Sequence, residues 1–209
     1  MTIRERVPIS PEDLTEDRVS PLFRSAVDRG FKYANGSLIE NHNTADGLYL
    51  FRKILAFAKD KKLSVTLFSG TLREDFYNCL TDELNALVAK GLNVHAYVTE
   101  ACLKDVMGTD TENRFAKILL EREGKDSDSY RLKALNRKIE RTLEDGTVIL
   151  QEIPHVIYAG EGEAFRWETN SDTHEAIAAF GPKDAPLGRY LLPKIMRGIP
   201  NESGLRWTG

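Results

Sequence analysis

His155 is the residue in this sequence whose type and position best suit chemistry. It heads the stretch PHVIYAGEGEAFRWETNSD, residues 154–172, which predicts two short strands around a glycine-rich turn. A histidine can act as a nucleophile or contact a ligand. To attack a phosphodiester it needs a cation beside the phosphoryl oxygens and an acceptor for its second ring nitrogen. Arg166 is the candidate cation, and Glu161 could be the acceptor if the turn bends it back.

A second candidate site follows the β-branched stretch LSVTLFSG. Ser69, Gly70 and Thr71 lead straight into a predicted helix, whose first N–H groups and dipole favour an anion, and Arg73 could add a cation. Thr71 and Glu74 also match a T-x-x-E capping box. The alternative interpretation is a plain capped helix, and the capping box favours it. The candidate ligand-binding residues are Ser69, Gly70, Thr71, Arg73, His155 and Arg166.

A third candidate is a basic surface in SYRLKALNRKIERTL, residues 129–143. The spacing of its leucines and isoleucine predicts a helix with one apolar face. The opposite face carries Lys133, Arg137 and Arg141. Such a face is usually a solvated surface balanced by nearby acids, and its functional interpretation is contact with nucleic-acid phosphates.

The remaining histidines do not suggest a metal. His42 lies in a polar loop, and His95 alternates with apolar residues of a strand. Asp172 and Glu175 flank His174, but neighbouring residues on a strand point to opposite faces and do not converge. We therefore expect neither a metal site nor a cofactor.

The elements that must position these residues begin with a short strand at 37–40. A helix follows, with apolar residues at helical spacing: Leu48, Phe51, Ile54, Leu55 and Ala58. Next come a strand at 63–68, a helix that starts after Gly70 and stops at Gly91, and a strand at 93–98. Strand, helix and strand with short connections imply a parallel pair and a right-handed crossover.

The rest of the chain predicts a charged helical insertion at about 101–143 and then a run of strands. These strands are TVILQE, HVIYAG, EAFRWE and EAIAAFG, and a last helix is predicted at 185–196. We expect a single α/β domain over residues 21–209, with a mixed β-sheet flanked by helices. Its central strands should be those at 63–68, 93–98 and 155–159. Residues 1–20 are expected to form a polar N-terminal arm that could dock on a partner.

This order of elements resembles one half of the phospholipase D-like superfamily, over residues 20–198. FSGTLREDFYNCLTDELNALVAKGLNVHAYV is similar to that family's strand, helix and strand, and HVIYAGEGEAFRWETNSDTHEAIAAFG to its histidine-bearing hairpin. Catalytic members carry a lysine two residues after the histidine and an aspartate five residues after that lysine. Ile157 and Gly162 hold these positions here. The resemblance therefore implies a catalytically degenerate domain in which His155 is a relic or a ligand contact.

Two functions follow from the resemblance. The first is a non-catalytic binding or regulatory module that works in a larger assembly with a protein or nucleic-acid partner. The alternative is a phosphodiesterase or nuclease that uses His155 with a cation from elsewhere, either Arg166 or a partner subunit's residue. A homodimer is expected because active members pair two histidine-bearing halves, and this chain has one.

Composition narrows the class of protein further. The 209 residues are 41% hydrophobic, which is enough to bury one sizeable core. A net charge of -3 excludes a surface built wholly for nucleic acid but permits a local basic face. Cys79 and Cys102 form neither a disulfide framework nor a zinc motif. The charged start and the lack of long apolar runs predict a cytoplasmic protein with no membrane partner.

Overall fold

The computed structural model describes residues 9–33, 37–41, 43–108, 112–135, 139–142, 148–151, 155–170 and 175–180. The helices are α1 (Pro21–Tyr33), α2 (Thr44–Lys61), α3 (Glu74–Tyr77), α4 (Thr81–Ala89), α5 (Glu100–Val106) and α6 (Arg114–Glu123). The strands are β1 (Ser37–Asn41), β2 (Val65–Ser69), β3 (Val94–Val98), β4 (Tyr130–Ala134), β5 (Ile139–Thr142), β6 (Val148–Gln151), β7 (Val156–Ala159), β8 (Ala164–Asn170) and β9 (Glu175–Phe180). The helix predicted at 185–196 lies outside the described residues.

Seven strands form one mixed sheet in the order β1-β9-β8-β7-β2-β3-β4, and β5 pairs separately with β6. β2 and β3 are parallel, as the strand–helix–strand pattern predicted, and β3 is parallel to β4. The pairings of β7 with β2 and of β8 with β9 are antiparallel. The predicted mixed α/β architecture is therefore confirmed. The three strands predicted as central correspond to β2, β3 and β7, which all lie inside the sheet.

The core forms because alternate residues of each strand point to opposite faces of the sheet. On β2, Val65 and Leu67 belong to the larger hydrophobic cluster, which includes the helices. Phe68 belongs to a smaller cluster with Tyr97, Val156, Tyr158, Phe165 and Ala179. The five apolar residues predicted to face inward from α2 are all buried. In the described part of the chain, no helix is long and apolar enough to cross a membrane.

Residues 9–19 of the predicted arm lie against the domain. Val19 is buried, and Ile9 and Leu14 pack on the same core. Glu16 forms ion pairs with Arg24 of α1 and Arg52 of α2. These apolar and ionic contacts hold this segment on the chain's own helices.

The helix predicted over residues 129–143 is wrong. Its first part is β4, in which Tyr130 and Leu132 are buried at a spacing of two residues. The main-chain ladder of β4 with β3 overrides the helical spacing of the leucines, because it extends the core by one strand. The helical part of the insertion ends with α6, at Glu123.

A side chain of α6 contacts the outer edge of β4. Glu123 Oε2 accepts a hydrogen bond from the backbone N–H of Leu132 at 3.1 Å. Arg131 also donates from Nε to the Ser127 carbonyl at 3.3 Å. Residues of β4, the last strand of the described sheet, therefore bond to α6 and to the loop that follows it.

The single helix predicted after Gly70 is also wrong, because a 3-10 turn at Asn78–Leu80 separates α3 from α4. The N-cap of α3 is Arg73, without a side-chain cap, so the predicted capping box with Thr71 does not form. The side chain of Asn78 bonds instead to the carbonyl of Glu112 and the N–H of Arg114. These bonds tie the turn to the start of α6 and leave Tyr77 buried above the sheet.

Candidate functional site

One row of polar residues crosses the sheet where β1 and β2 end. Within the sheet, Ala176 of β9 lies opposite Asn41 of β1 on one side and Glu168 of β8 on the other. The N–H of Glu168 donates to the carbonyl of His155 at 2.9 Å. Ser69 follows Phe68, the partner of Val156, and so lies beside His155. These residues point to the helix-covered face. The carboxyl end of an α/β sheet is where such folds usually bind ligands.

His155 is held at both ring nitrogens. Its Nδ1 lies 3.1 Å from Glu168 Oε2, and its Nε2 lies 2.7 Å from the Tyr77 hydroxyl. A carboxylate only accepts, so Nδ1 donates to Glu168, and Nε2 is hydrogen-bonded to the Tyr77 hydroxyl. Burial raises the pKa of the Tyr77 hydroxyl, and a side-chain hydrogen bond with Ser69 opposes part of that effect. The His155 side chain is still 24% exposed.

Arg166 continues this chain of contacts into the core. It is 3% exposed, and it donates from Nη2 to Glu168 at 3.2 Å and from Nε to Asn41 at 3.0 Å. Its guanidinium lies 5.4 Å from the Phe51 ring centre, and its Nη1 is buried without a hydrogen bond. Burial lowers the pKa of Arg166, and Glu168 opposes that effect by favouring the charged form. We call Tyr77, His155, Glu168, Arg166 and Asn41 the buried polar chain.

Helix α2 covers the strand face that carries Arg166 and Glu168. One sequence-based interpretation of this hairpin needs correction. The acceptor for His155 is Glu168 and not Glu161, which is exposed and donates its N–H to Glu163 Oε2 at 2.6 Å.

The loop after β2 bonds mainly to itself and to nearby helices. The Ser69 hydroxyl donates to the Thr71 carbonyl, and Gly70 accepts from the Thr99 hydroxyl at 2.8 Å. Arg73 donates to both carboxylate oxygens of Asp75, at 3.2 and 2.7 Å. Burial raises the pKa of Asp75, but Arg73 together with the backbone N–H groups of Phe76 and Ile9 lowers it overall. Anion binding by this loop stays a prediction.

Only part of the predicted basic face lies in the described part of the chain. Lys133 is exposed on β4, and Arg141 lies in β5, whose side chains are outside the described part. Arg137 lies outside the described residues altogether. Their nucleic-acid role stays a prediction without the helix on which it was based.

The other histidines add little to the site. His95 Nε2 lies 3.0 Å from the carbonyl of Asp128, and burial lowers the pKa of His95. His42 and His174 lie outside the described residues. Within the described ranges, no three His, Cys, Asp or Glu side chains converge as metal ligands.

Sequence reasoning missed three partners of His155 and Arg166. Glu168 could have been found, because a two-strand antiparallel hairpin with a turn at 160–163 places it opposite His155. Asn41 and Tyr77 carry no such local signal, since they reach the site only through tertiary packing.

Two positions of the described hairpin bear on the predicted lack of catalysis. Ile157, at the position of the family's lysine, is buried in the apolar core. Gly162, at the position of its aspartate, lies in the hairpin turn with φ of 102°. The buried polar chain can orient a histidine, but it presents no cation to a substrate at Nε2.

No protein-family model matches the chain, and no curated protein matches it. Among solved structures it is similar to TrmBL2, an archaeal chromatin protein whose structure shows a novel mode of DNA binding. The two share 11% identity with a TM-score of 0.49, and the match covers 87% of this chain and 55% of that one. The chain thus spans about half the length of that protein, and the likeness is too low to bear on function.

Proposed function

We propose that the chain is a non-catalytic binding or regulatory module of phospholipase D-like fold. The observation that carries this proposal is the occupied Nε2 of His155. That nitrogen would have to attack phosphorus, yet it is hydrogen-bonded to the Tyr77 hydroxyl at 2.7 Å. This bond has to break before Nε2 can reach a substrate.

The position of Arg166 supports the same proposal. An attacking histidine needs a cation beside the phosphoryl oxygens. The guanidinium of Arg166 instead pairs with Glu168 and Asn41 under α2. Bringing it to a substrate would break both contacts and remove the guanidinium from the buried Glu168 carboxylate, which is costly.

The buried polar chain has a clear role in such a module. It joins β1, β7, β8 and α3 through directional bonds and fixes their relative positions. A rigid scaffold of this kind can present its surface to a protein or nucleic-acid partner in a larger assembly.

We expect no metal-independent phosphodiesterase activity. Losing each charge-stabilising donor costs about 100-fold to 1,000-fold in rate. The assay uses model phosphodiesters and single- and double-stranded nucleic acid, with a chelator present, and compares the parent with His155→Ala and Tyr77→Phe. Tyr77→Phe frees Nε2 without adding a cation, so it should stay inactive. Turnover in the parent that His155→Ala abolishes would contradict the proposal.

A second candidate function is a phosphodiesterase. The observation in its favour is the contact between His155 Nδ1 and Glu168, because a carboxylate at that nitrogen orients a nucleophilic histidine. Its cation would have to come from Arg166 or from a partner subunit. The same assay decides between the two functions.

If the partner is nucleic acid, the combined change of Lys133, Arg137 and Arg141 to alanine should weaken binding. Each lost duplex phosphate contact should reduce the slope of log affinity against log salt by about 0.9. Fluorescence anisotropy at several salt concentrations measures this slope. Lys104→Ala is the matched control, because Lys104 is an exposed lysine of α5 paired with Glu100. Equal effects of the control and the triple variant would exclude these residues as the interface.

A further inference from the structure

Helix α1 carries a second apolar stripe that its own core does not use. Its inner face buries Phe23, Val27 and Gly30. Another flank presents Leu22, Ala26 and Tyr33 at helical spacing, with the exposed Arg29 between Ala26 and Tyr33. Leu22 is 85% exposed and Tyr33 is 62% exposed, so both ends of this stripe carry a large hydrophobic side chain in water.

The charges beside this stripe differ between its two ends. At the N-terminal end, an open groove of about 530 Å³ is lined by three acids and one cation, with apolar and small residues between them: Glu16, Asp17, Asp28 and Arg24, with Val19, Pro21 and Ser25. At the C-terminal end, Lys32 lies over the ring of Tyr33. Glu16 and Asp28 pair with cations of α1 and α2. In the part of the chain that the structure describes, neither Asp17 nor Lys32 forms an ion pair.

The two ends of the α1 surface are complementary to each other, so two copies of the helix can pair through a two-fold axis. When two copies of a helix pack antiparallel, the start of one meets the end of the other, and equivalent flanks lie side by side. Leu22 then contacts Tyr33 of the second copy. Lys32 of the second copy approaches the acidic groove beside Asp17, and the reciprocal contact forms at the other end.

We propose that α1 is the contact surface of a two-fold homodimer of this chain. The helix has 13 residues, which corresponds to a length of about 20 Å. An interface limited to such a pair is small, and contacts below about 1,200 Å² are usually weak. The dimer therefore dissociates on dilution, and its dissociation constant is measurable by sedimentation equilibrium.

The test begins with the apolar stripe. Leu22→Asp should abolish the concentration-dependent dimer of the full chain, because it places charges against an apolar ring in two symmetric contacts. The control is Met107→Asp, which changes another exposed hydrophobic residue, 62% exposed, at the C-terminal end of α5. Circular dichroism shows whether each variant stays folded. A parent that is monomeric at all concentrations, or a dimer unaffected by Leu22→Asp, would overturn the proposal.

Charge exchange tests the antiparallel geometry itself. Asp17→Lys and Lys32→Glu should each raise the dissociation constant roughly 2- to 10-fold, as expected for exposed ion pairs. Carrying both changes in one chain restores both contacts. An equimolar mixture of the two single variants should also form heterodimers at parental strength, because each lysine at 17 or 32 then meets an acid. Failure of both the double variant and the mixture to recover binding would disprove this pairing.

Discussion

Replacing Arg166 by methionine is expected to lower the free energy of unfolding by about 3–5 kcal/mol. The change removes the guanidinium from Glu168, whose side chain is only 8% exposed, and leaves this buried carboxylate with its hydrogen bond to His155 Nδ1. Chemical denaturation at neutral pH measures the loss. The matched control is Arg131→Met on β4, whose ion pair involves a nearly fully exposed Asp128 and should contribute less than about 1 kcal/mol.

A double variant separates charge from packing in this prediction. Adding Glu168→Gln to Arg166→Met removes the unpaired charge, while the amide oxygen can still accept from His155 Nδ1. The double variant should therefore recover most of the lost stability. A loss below about 1 kcal/mol in the single variant, or no recovery in the double variant, would mean that the pair does not govern stability here.

Replacing Phe51 by alanine should cost a similar amount, about 3–5 kcal/mol. Phe51 is 1% exposed and contacts the rings of Phe76, Tyr77 and His155 at centroid distances of 5.2, 6.1 and 5.8 Å. Its removal opens a cavity directly against the buried polar chain. Thermal and urea denaturation measure the change.

Phe57 provides the control for this second prediction. It lies on the same helix, is only partly buried, and contacts Phe31 at 5.4 Å. Phe57→Ala should destabilise the protein clearly less than Phe51→Ala, because the surface can relax around the missing ring. Equal losses would show that Phe51 has no special role beneath the site.

Parts of the fold were predictable because their signals are local and repeated. The apolar residues of α2 recur over several turns, so the buried face follows from helical geometry alone. The hairpin of β7 and β8 has β-branched and aromatic strands around a glycine turn, and its pairing follows from that turn.

The remaining errors have tertiary causes. Residues 129–143 carry leucines at helical spacing, and only the position beside β3 shows that Leu132 belongs to a strand. The burial of Arg166 was not predictable, because it depends on the start of α2, where Gly47 lies beside the guanidinium. The bond from Tyr77 to His155 spans 78 residues along the chain and has no sequence signature.

The contact of Glu123 with β4 bears on aggregation of the protein at high concentration. The last strand of a sheet offers backbone groups to strands of other molecules, and this is a common start of aggregation. Here an incoming strand would have to break the bond from Leu132 N–H and cover the carboxylate of Glu123. Burying that charge without a partner is unfavourable. The carboxylate of Glu123 thus disfavours the addition of a strand from another molecule at this edge of the described sheet.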